Sequence, residues 1–274
     1  MQNAAEYAEG LSEIEALVSA YYTEYYKVSL GLPDWADRVA LRLREEETYC
    51  RRFIEWIEIW FSYRFVGKRV LVCGCGTGGE LVNFWDRGAK VFGIDSNKAA
   101  VAISKKKARL NCQNEITIEE GCLEKIHFES NSFDFVYCAS VLEHVNNVEE
   151  ALSEIIRCTK PSGRIFIGAP DYRQFWEPHY KLPLPMFLPK SLVWIMLKIL
   201  GRPTEFLGTL KFVNSRQFAN SFMGKGVTAF RVILPWPKRW IKNPVWHERL
   251  VMKMTRLFEI HRDQIWILKK TGER

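Results

Sequence analysis

The eleven residues "VLVCGCGTGGE", positions 70–80, constrain the fold more than any other stretch of this chain. A short apolar run that breaks into four glycines marks a strand turning sharply into a helix, because glycine accepts the backbone angles that such a turn demands. The rhythm downstream agrees. "RVLVCG" (69–74), "KVFGID" (90–95), "EITIEEG" (115–121), "FDFVYCAS" (133–140) and "GRIFIGAP" (163–170) read as strands. Residues 79–88, 96–110 and 148–159 read as helices between them, with Gly88 closing the first and a Lys160-Pro161-Ser162-Gly163 turn opening the fifth strand. Strands and helices in this alternation require a mostly parallel sheet with helices on both faces, an α/β fold.

The flanks follow other rules. Residues 11–30 and 35–63 carry helical periodicity, split at "GLPDW" (31–35), where Pro33 disfavours helix at Leu32 and Asp34 is placed to cap the second helix. In that helix Phe53, Ile54, Ile57 and Trp60 form an apolar stripe, and Glu45, Glu46, Glu47, Arg51 and Arg52 read as a solvated face. Tyr21, Tyr22, Tyr25 and Tyr26 make two i, i+4 pairs on shared helical faces. Beyond residue 170, "EPHYKLPLPMFLPK" (177–190) holds four prolines and reads as a loop or cap. A short apolar helix (191–200), a helix at 214–226 and strands at 227–235 and 263–270 complete the chain.

The net charge of +7 is unevenly distributed. Residues 171–274 carry 19 Lys and Arg against 7 Asp and Glu, a local +12, together with six of the ten Trp. That asymmetry points to an anionic partner: a phosphorylated substrate, a membrane surface or nucleic acid. "SLVWIMLKIL" is too short to span a bilayer but is flanked by Lys190, Lys198 and Arg202, and "PWPKRWIKNPVWHERL" (235–250) interleaves Trp with Lys and Arg like an interfacial anchor. Seven scattered cysteines and an acidic, polar amino-terminal stretch lead to the expectation of a reduced, cytoplasmic protein, membrane-peripheral where the basic segment meets lipid. Cys73-x-Cys75 has no second close pair, so these thiols read as packing and no metal site is expected.

The glycine loop alone leaves two cofactors open. Gly74-x-Gly76-x-x-Gly79 is the dinucleotide spacing, and Gly74-x-Gly76-x-Gly78 is that of S-adenosylmethionine (SAM) sites. Asp95, ending the second strand, is placed to bond ribose hydroxyls in either.

Downstream, "GCLEKIHFESNSFDFVYCASVLEHV" (121–145) and "RCTKPSGRIFIGAP" (157–170) resemble the class I SAM-dependent methyltransferases, in the "methyltransferase type 11"-like small-molecule branch. The resemblance covers about residues 66–170. It implies a Rossmann-like, seven-stranded, mostly parallel sheet with an antiparallel last strand, one domain over 1–274, with a helical lid (1–65), a SAM-binding core (66–170) and a substrate cap with the last strands (171–274). It places SAM on Gly74, Gly76, Gly78, Asp95 and Ser96, on Gly121, Cys122 and Leu123, and on Ala139, with Tyr26 from the lid. S-adenosylhomocysteine is then the product. Two positions depart from the family pattern: Val72 and Cys122 stand where acids are common, with Glu80 placed to substitute.

For the chemistry, His179 is the first choice of general base, with His144, Glu177 and Tyr180 as further candidates; Asp171 and Tyr172 follow the fifth strand, and His127, His247 and His261 read as peripheral. The expected reaction is O-methylation of a small molecule, or of a glycan or lipid-linked, phosphorylated acceptor. The alternatives are a SAM-binding protein without turnover, an NAD-dependent oxidoreductase and an RNA methyltransferase. The last is disfavoured because "CASV" (138–141) stands where nucleic-acid enzymes carry their tetrapeptide, so nucleic acid is not the expected partner.

Overall fold

A computed structural model describes residues 4–112, 115–174, 176–184, 186–232, 253 and 263–271. Two helices, α1 (Ala4–Thr23) and α2 (Trp35–Phe61), are joined by a π-helical turn at Glu24–Ser29. The core follows as β1 (Arg69–Cys73), α3 (Gly79–Trp85), β2 (Lys90–Asp95), α4 (Lys98–Cys112), β3 (Thr117–Glu120), β4 (Phe133–Ala139), α5 (Val148–Cys158) and β5 (Thr159–Pro170). Then come α6 (Lys190–Ile199), α7 (Glu205–Thr209), α8 (Ser215–Phe222), β6 (Val227–Val232) and β7 (Asp263–Lys270).

These strands form one seven-stranded sheet in the order β3-β2-β1-β4-β5-β7-β6. β1 to β5 pair in parallel, while β7 runs antiparallel to both β5 and β6. The expected architecture is therefore present, its last strand reversed. The chain order turns outward on either side of β1 and β4, and ligands in open α/β sheets sit at the carboxyl ends of the strands at such a switch.

Alternation along β1 explains the two cores. Successive side chains point to opposite faces of a strand. Leu71 and Cys73 join Val136, Ile165 and the inner face of α5 in one apolar cluster, while Val70 and Val72 join Phe135, Tyr137, Phe84 and the Ile54–Ile57 stripe of α2 in the other. Val72 is thus a core residue, 1% exposed. α1 lies over α4, where Ile14 and Val18 pack with Ile103 and Leu110.

Several local expectations change. The side chain of Asp34 makes no cap bond to α2 and pairs instead with Arg38 at 2.6 Å, because the i+4 guanidinium competes for it. The Lys160–Gly163 turn lies within β5 as an irregularity between Phe133 and Phe135 of the partner strand, with Ser162 at φ +63°. α3 ends at Trp85, before Gly88, whose φ of +74° turns the chain toward β2. Glu46 leaves the solvated face: it is buried. The basic Trp segment at 235–250, the last residues of the 227–235 strand, His247 and His261 lie outside the described residues.

Candidate functional site

The glycine loop leaves β1 with Gly74, Gly76 and Gly78 at φ +65°, +50° and +92°, in the region that glycine alone enters without strain. The reasons differ. A Cβ on Gly74 would fall 2.2 Å from Val141 Cγ2, whereas a Cβ on Gly76 would meet nothing within 4 Å. Gly74 is therefore a packing glycine, and Gly76 is the point where the backbone faces open space that a ligand can enter.

Asp95 holds this loop. Its Oδ2 accepts the Gly76 N–H at 2.8 Å and its Oδ1 accepts the Asn97 N–H at 2.8 Å. A carboxylate has about four lone-pair sites, so acceptor capacity remains for ribose hydroxyls. Ser96 beside it is exposed. Gly121 donates its N–H to the Asp95 carbonyl at 3.0 Å, Cys122 is exposed, Leu123 is buried and Ala139 is half-buried at the end of β4. The expected cofactor residues thus gather at the carboxyl ends of β1, β2, β3 and β4. Cys73 and Cys75 are buried free thiols, and burial raises both above the ordinary range.

The amino-terminal helices place the expected Tyr26 near the glycine loop and add Arg42 and Glu46, which were not expected there. Tyr22 and Tyr26 stack at 5.6 Å between centroids, as their i, i+4 spacing requires. Arg42, from α2, donates to the Tyr26 hydroxyl at 3.0 Å and lies 5.0 Å from the centre of the Tyr22 ring. Glu46, one turn on, receives the Lys107 ammonium at 2.6 Å, the Tyr22 hydroxyl at 3.2 Å and the Thr77 hydroxyl of the glycine loop. Burial raises the Glu46 carboxyl, but Lys107, Thr77 and Arg42 outweigh it and hold the group below its ordinary value. Glu80, expected to replace the missing acid at position 72, is raised by burial and sits against Cys50 and Glu46. The detectable signal was the Arg42–Glu46 helical spacing opposite the tyrosines. It was masked because Glu46 sits in a run of three glutamates.

The loop after β4 carries Glu143 and His144. It is fixed by Lys211 N–H donating to the Glu143 carbonyl at 2.6 Å, by Glu124 accepting Asn146 N–H at 2.7 Å, and by Asn147 capping α5. Val141 of this loop is the residue that packs on Gly74. From the cap, the His179 ring lies 5.2 Å from the His144 ring, and its Nδ1 meets Glu177 Oε1 at 2.7 Å. Glu177 is fully buried, and its other oxygen accepts the Tyr180 N–H. Phe206 packs on both imidazoles and on Tyr25. Burial, then the neighbouring His179, push His144 down to about 4.

The structure thus brings His144, Glu177 and His179 together. Tyr180 is fully buried beside Phe206. The carboxylate of Asp171 turns instead to Arg173 at 2.6 Å and Arg231 at 3.5 Å, and His127 is exposed.

Comparison with known proteins bears on the fold and the family. Residues 71–167 match the family model described as "Methyltransferase domain". A sterol 4-C-methyltransferase of Caenorhabditis elegans is 31% identical over 114 residues, covering 39% of this chain and 34% of that protein. A mitochondrial ubiquinone biosynthesis O-methyltransferase of Schizosaccharomyces pombe is 36% identical over 111 residues, covering 38% of each. The chain therefore spans well under half the length of these relatives. An S-adenosylmethionine-dependent methyltransferase structure from Mesorhizobium loti superposes with a TM-score of 0.57 at 17% identity, covering 79% of this chain and 97% of that one. With an open glycine loop, a carboxylate holding it and the Arg42 guanidinium against the neighbouring tyrosines, the residues present fit SAM, and residues 71–167 carry a methyltransferase domain in a Rossmann-like methyltransferase fold.

Proposed function

We propose that the protein transfers the methyl group of SAM to a hydroxyl oxygen of a small acceptor. The observation that carries this reading is the His179–Glu177 contact beside His144, at the strand ends that also bear the glycine loop. When bound, SAM supplies a methyl group on a positively charged sulfur whose leaving form is a neutral thioether. The protein's part is alignment and proton removal. Gly76 leaves room for the cofactor, Asp95 binds the ribose and Arg42 pairs with the amino-acid carboxylate. Glu177 holds the His179 ring by Nδ1, which leaves Nε2 to accept the acceptor's hydroxyl proton. Phe206 and Tyr25 keep water from the imidazoles.

For the acceptor class we infer an anionic, lipid-linked or phosphorylated glycan. The support is the basic carboxyl-terminal third and the outer face of α6, where Leu192, Trp194, Ile195 and Ile199 are exposed and Lys198 lies 5.3 Å from the Trp194 ring centre. Among the described residues no helix is long and apolar enough to cross a membrane. Co-sedimentation with anionic vesicles at low salt tests this; an unbound protein removes the lipid arm.

A second reading is binding without methyl transfer. It is favoured by the two departures from the family pattern, since Val72 is a buried core residue and Cys122 is exposed where acids are common. Incubation of the protein and labelled SAM with lipid, glycan, RNA and metabolite fractions of a lysate separates the two. Label in the lipid or glycan fraction supports the proposal, label in RNA replaces the acceptor class, and adenosylhomocysteine binding with no labelled fraction favours the second reading.

A further inference from the structure

Among the described residues, one group of three metal-ligating side chains has one donor atom from each within 4.8 Å of the others: Glu143, His144 and His179. We propose that these three form a site for one divalent transition-metal ion of the zinc class. Two imidazoles and a carboxylate are a donor set that such ions favour, whereas magnesium and calcium favour oxygen alone. Metal bonds of about 2.1 Å place tetrahedral donors about 3.4 Å apart, so closure of the site needs side-chain shifts on the order of 1 Å.

The surroundings are those of a built site. Metal-ligating histidines characteristically give their second ring nitrogen to a carboxylate, which fixes the tautomer and aims the ring. His179 does this with Glu177 at 2.7 Å, and Glu177 is itself fixed by the Tyr180 N–H and is 0% exposed. Glu143 is also 0% exposed, so its carboxylate sits in a low-dielectric place where a cation is strongly favoured over water. The β4 loop that carries Glu143 and His144 is held by the Lys211 N–H on the Glu143 carbonyl and by the Asn146 N–H on Glu124, so the same cap that brings His179 also fixes this loop. Phe206 walls the histidines off on one side.

The sequence carried no sign of this. Its ligands are split between positions 143–144 and 179, a spacing that matches no local metal motif, and only the folded cap joins them.

Three protein ligands leave a fourth position for water or an acceptor oxygen. The role of the ion rests on the methyl-transfer reading; the site does not. A hydroxyl on the ion loses its proton more readily, with the O–H electron pair kept on the oxygen and the proton passing to solvent. His179 then serves as ligand in the loaded protein and as proton acceptor only in the metal-free one.

The test is a cobalt(II) titration of the full chain after chelator treatment, read by visible absorption. One equivalent should produce the d–d bands of a nitrogen–oxygen site without thiolate charge transfer, displaced by zinc and not by excess magnesium. His179→Ala should abolish the bands, and Glu177→Gln, a positioning change, should weaken binding 10- to 100-fold. No stoichiometric band, thiolate charge transfer, or bands that survive His144→Ala/His179→Ala in a variant with native circular dichroism would overturn the proposal. Calorimetry with adenosylhomocysteine on the metal-free chain is read separately: its failure alongside intact cobalt binding sinks the methyl-transfer reading and leaves the metal site standing.

Discussion

The carboxylate of Glu46 meets the ammonium of Lys107 at 2.6 Å, with both side chains less than 10% exposed. One comes from the lid helix α2 and the other from α4, and Thr77 of the glycine loop donates to the same carboxylate. The pair therefore ties the lid to the cofactor loop. Removing one partner of a buried pair leaves the other charged and unmatched, at a cost of about 3–5 kcal/mol. Glu46→Gln should lower stability by about that amount in urea unfolding. Glu46→Leu/Lys107→Met, which removes both charges, should cost less. Equal losses in the two variants would mean that packing, not charge, holds the lid.

The same carboxylate sets a pH dependence. Its native pKa is below the unfolded one, despite burial, through Lys107, Thr77 and Arg42. Its contribution is then fully present above the unfolded carboxylate range, about pH 4–5, and is lost as pH falls through the lowered native value. The stability gap between wild type and Glu46→Gln should be widest near neutrality and narrow on acidification. Urea midpoints measured across the acid range check this; a constant gap would rule out ionisation of Glu46 as its source.

The core was legible because periodicity and glycine punctuation are local. The run from Val70 to Pro170 fixes strand, turn and helix within a few residues of each signal, so the sheet and the gathering of Gly76, Asp95 and Gly121 follow from it. The lid was misread at Glu46 because charge runs on a helix are ordinarily solvated. Only the tertiary approach of Lys107, 61 residues away, changes its environment. His179 is singled out in the sequence by the proline beside it, but its meeting with Glu143 and His144 depends on a cap whose path no period encodes.

Gly74 and Gly76 offer a contrast that separates fold from function. Alanine at Gly74 meets both a positive φ and the Val141 side chain at 2.2 Å. Overpacking costs about 1–3 kcal/mol and the left-handed conformation about 1–2 more. Gly74→Ala should therefore destabilise the protein markedly, and Gly74→Ala/Val141→Ala should recover the packing share only. Gly76→Ala pays the backbone cost alone, since its Cβ enters open space. Its melting point should fall by that backbone share only, less than for Gly74→Ala, while adenosylhomocysteine affinity falls at least about tenfold. Unchanged affinity in Gly76→Ala would show that the cofactor does not approach this point.

Arg42 provides the sharpest check on cofactor orientation. Its guanidinium is held against the Tyr22 ring and by one bond to Tyr26, with the Glu46 carboxylate one helical turn away interacting with its charge. A preset cation beside the glycine loop suits the amino-acid carboxylate of SAM. A hydrogen bond to a charged group contributes about 1.5–3 kcal/mol, so Arg42→Ala should weaken adenosylhomocysteine binding roughly 10- to 150-fold. Arg42→Lys keeps the charge but loses the planar fork, and should fall between the two. Adenosine, which lacks the carboxylate, should bind wild type and Arg42→Ala equally. Parallel calorimetry with both ligands decides the point: a loss shared by adenosine would mean that Arg42 acts by holding the lid, and a loss confined to adenosylhomocysteine places the carboxylate at its guanidinium.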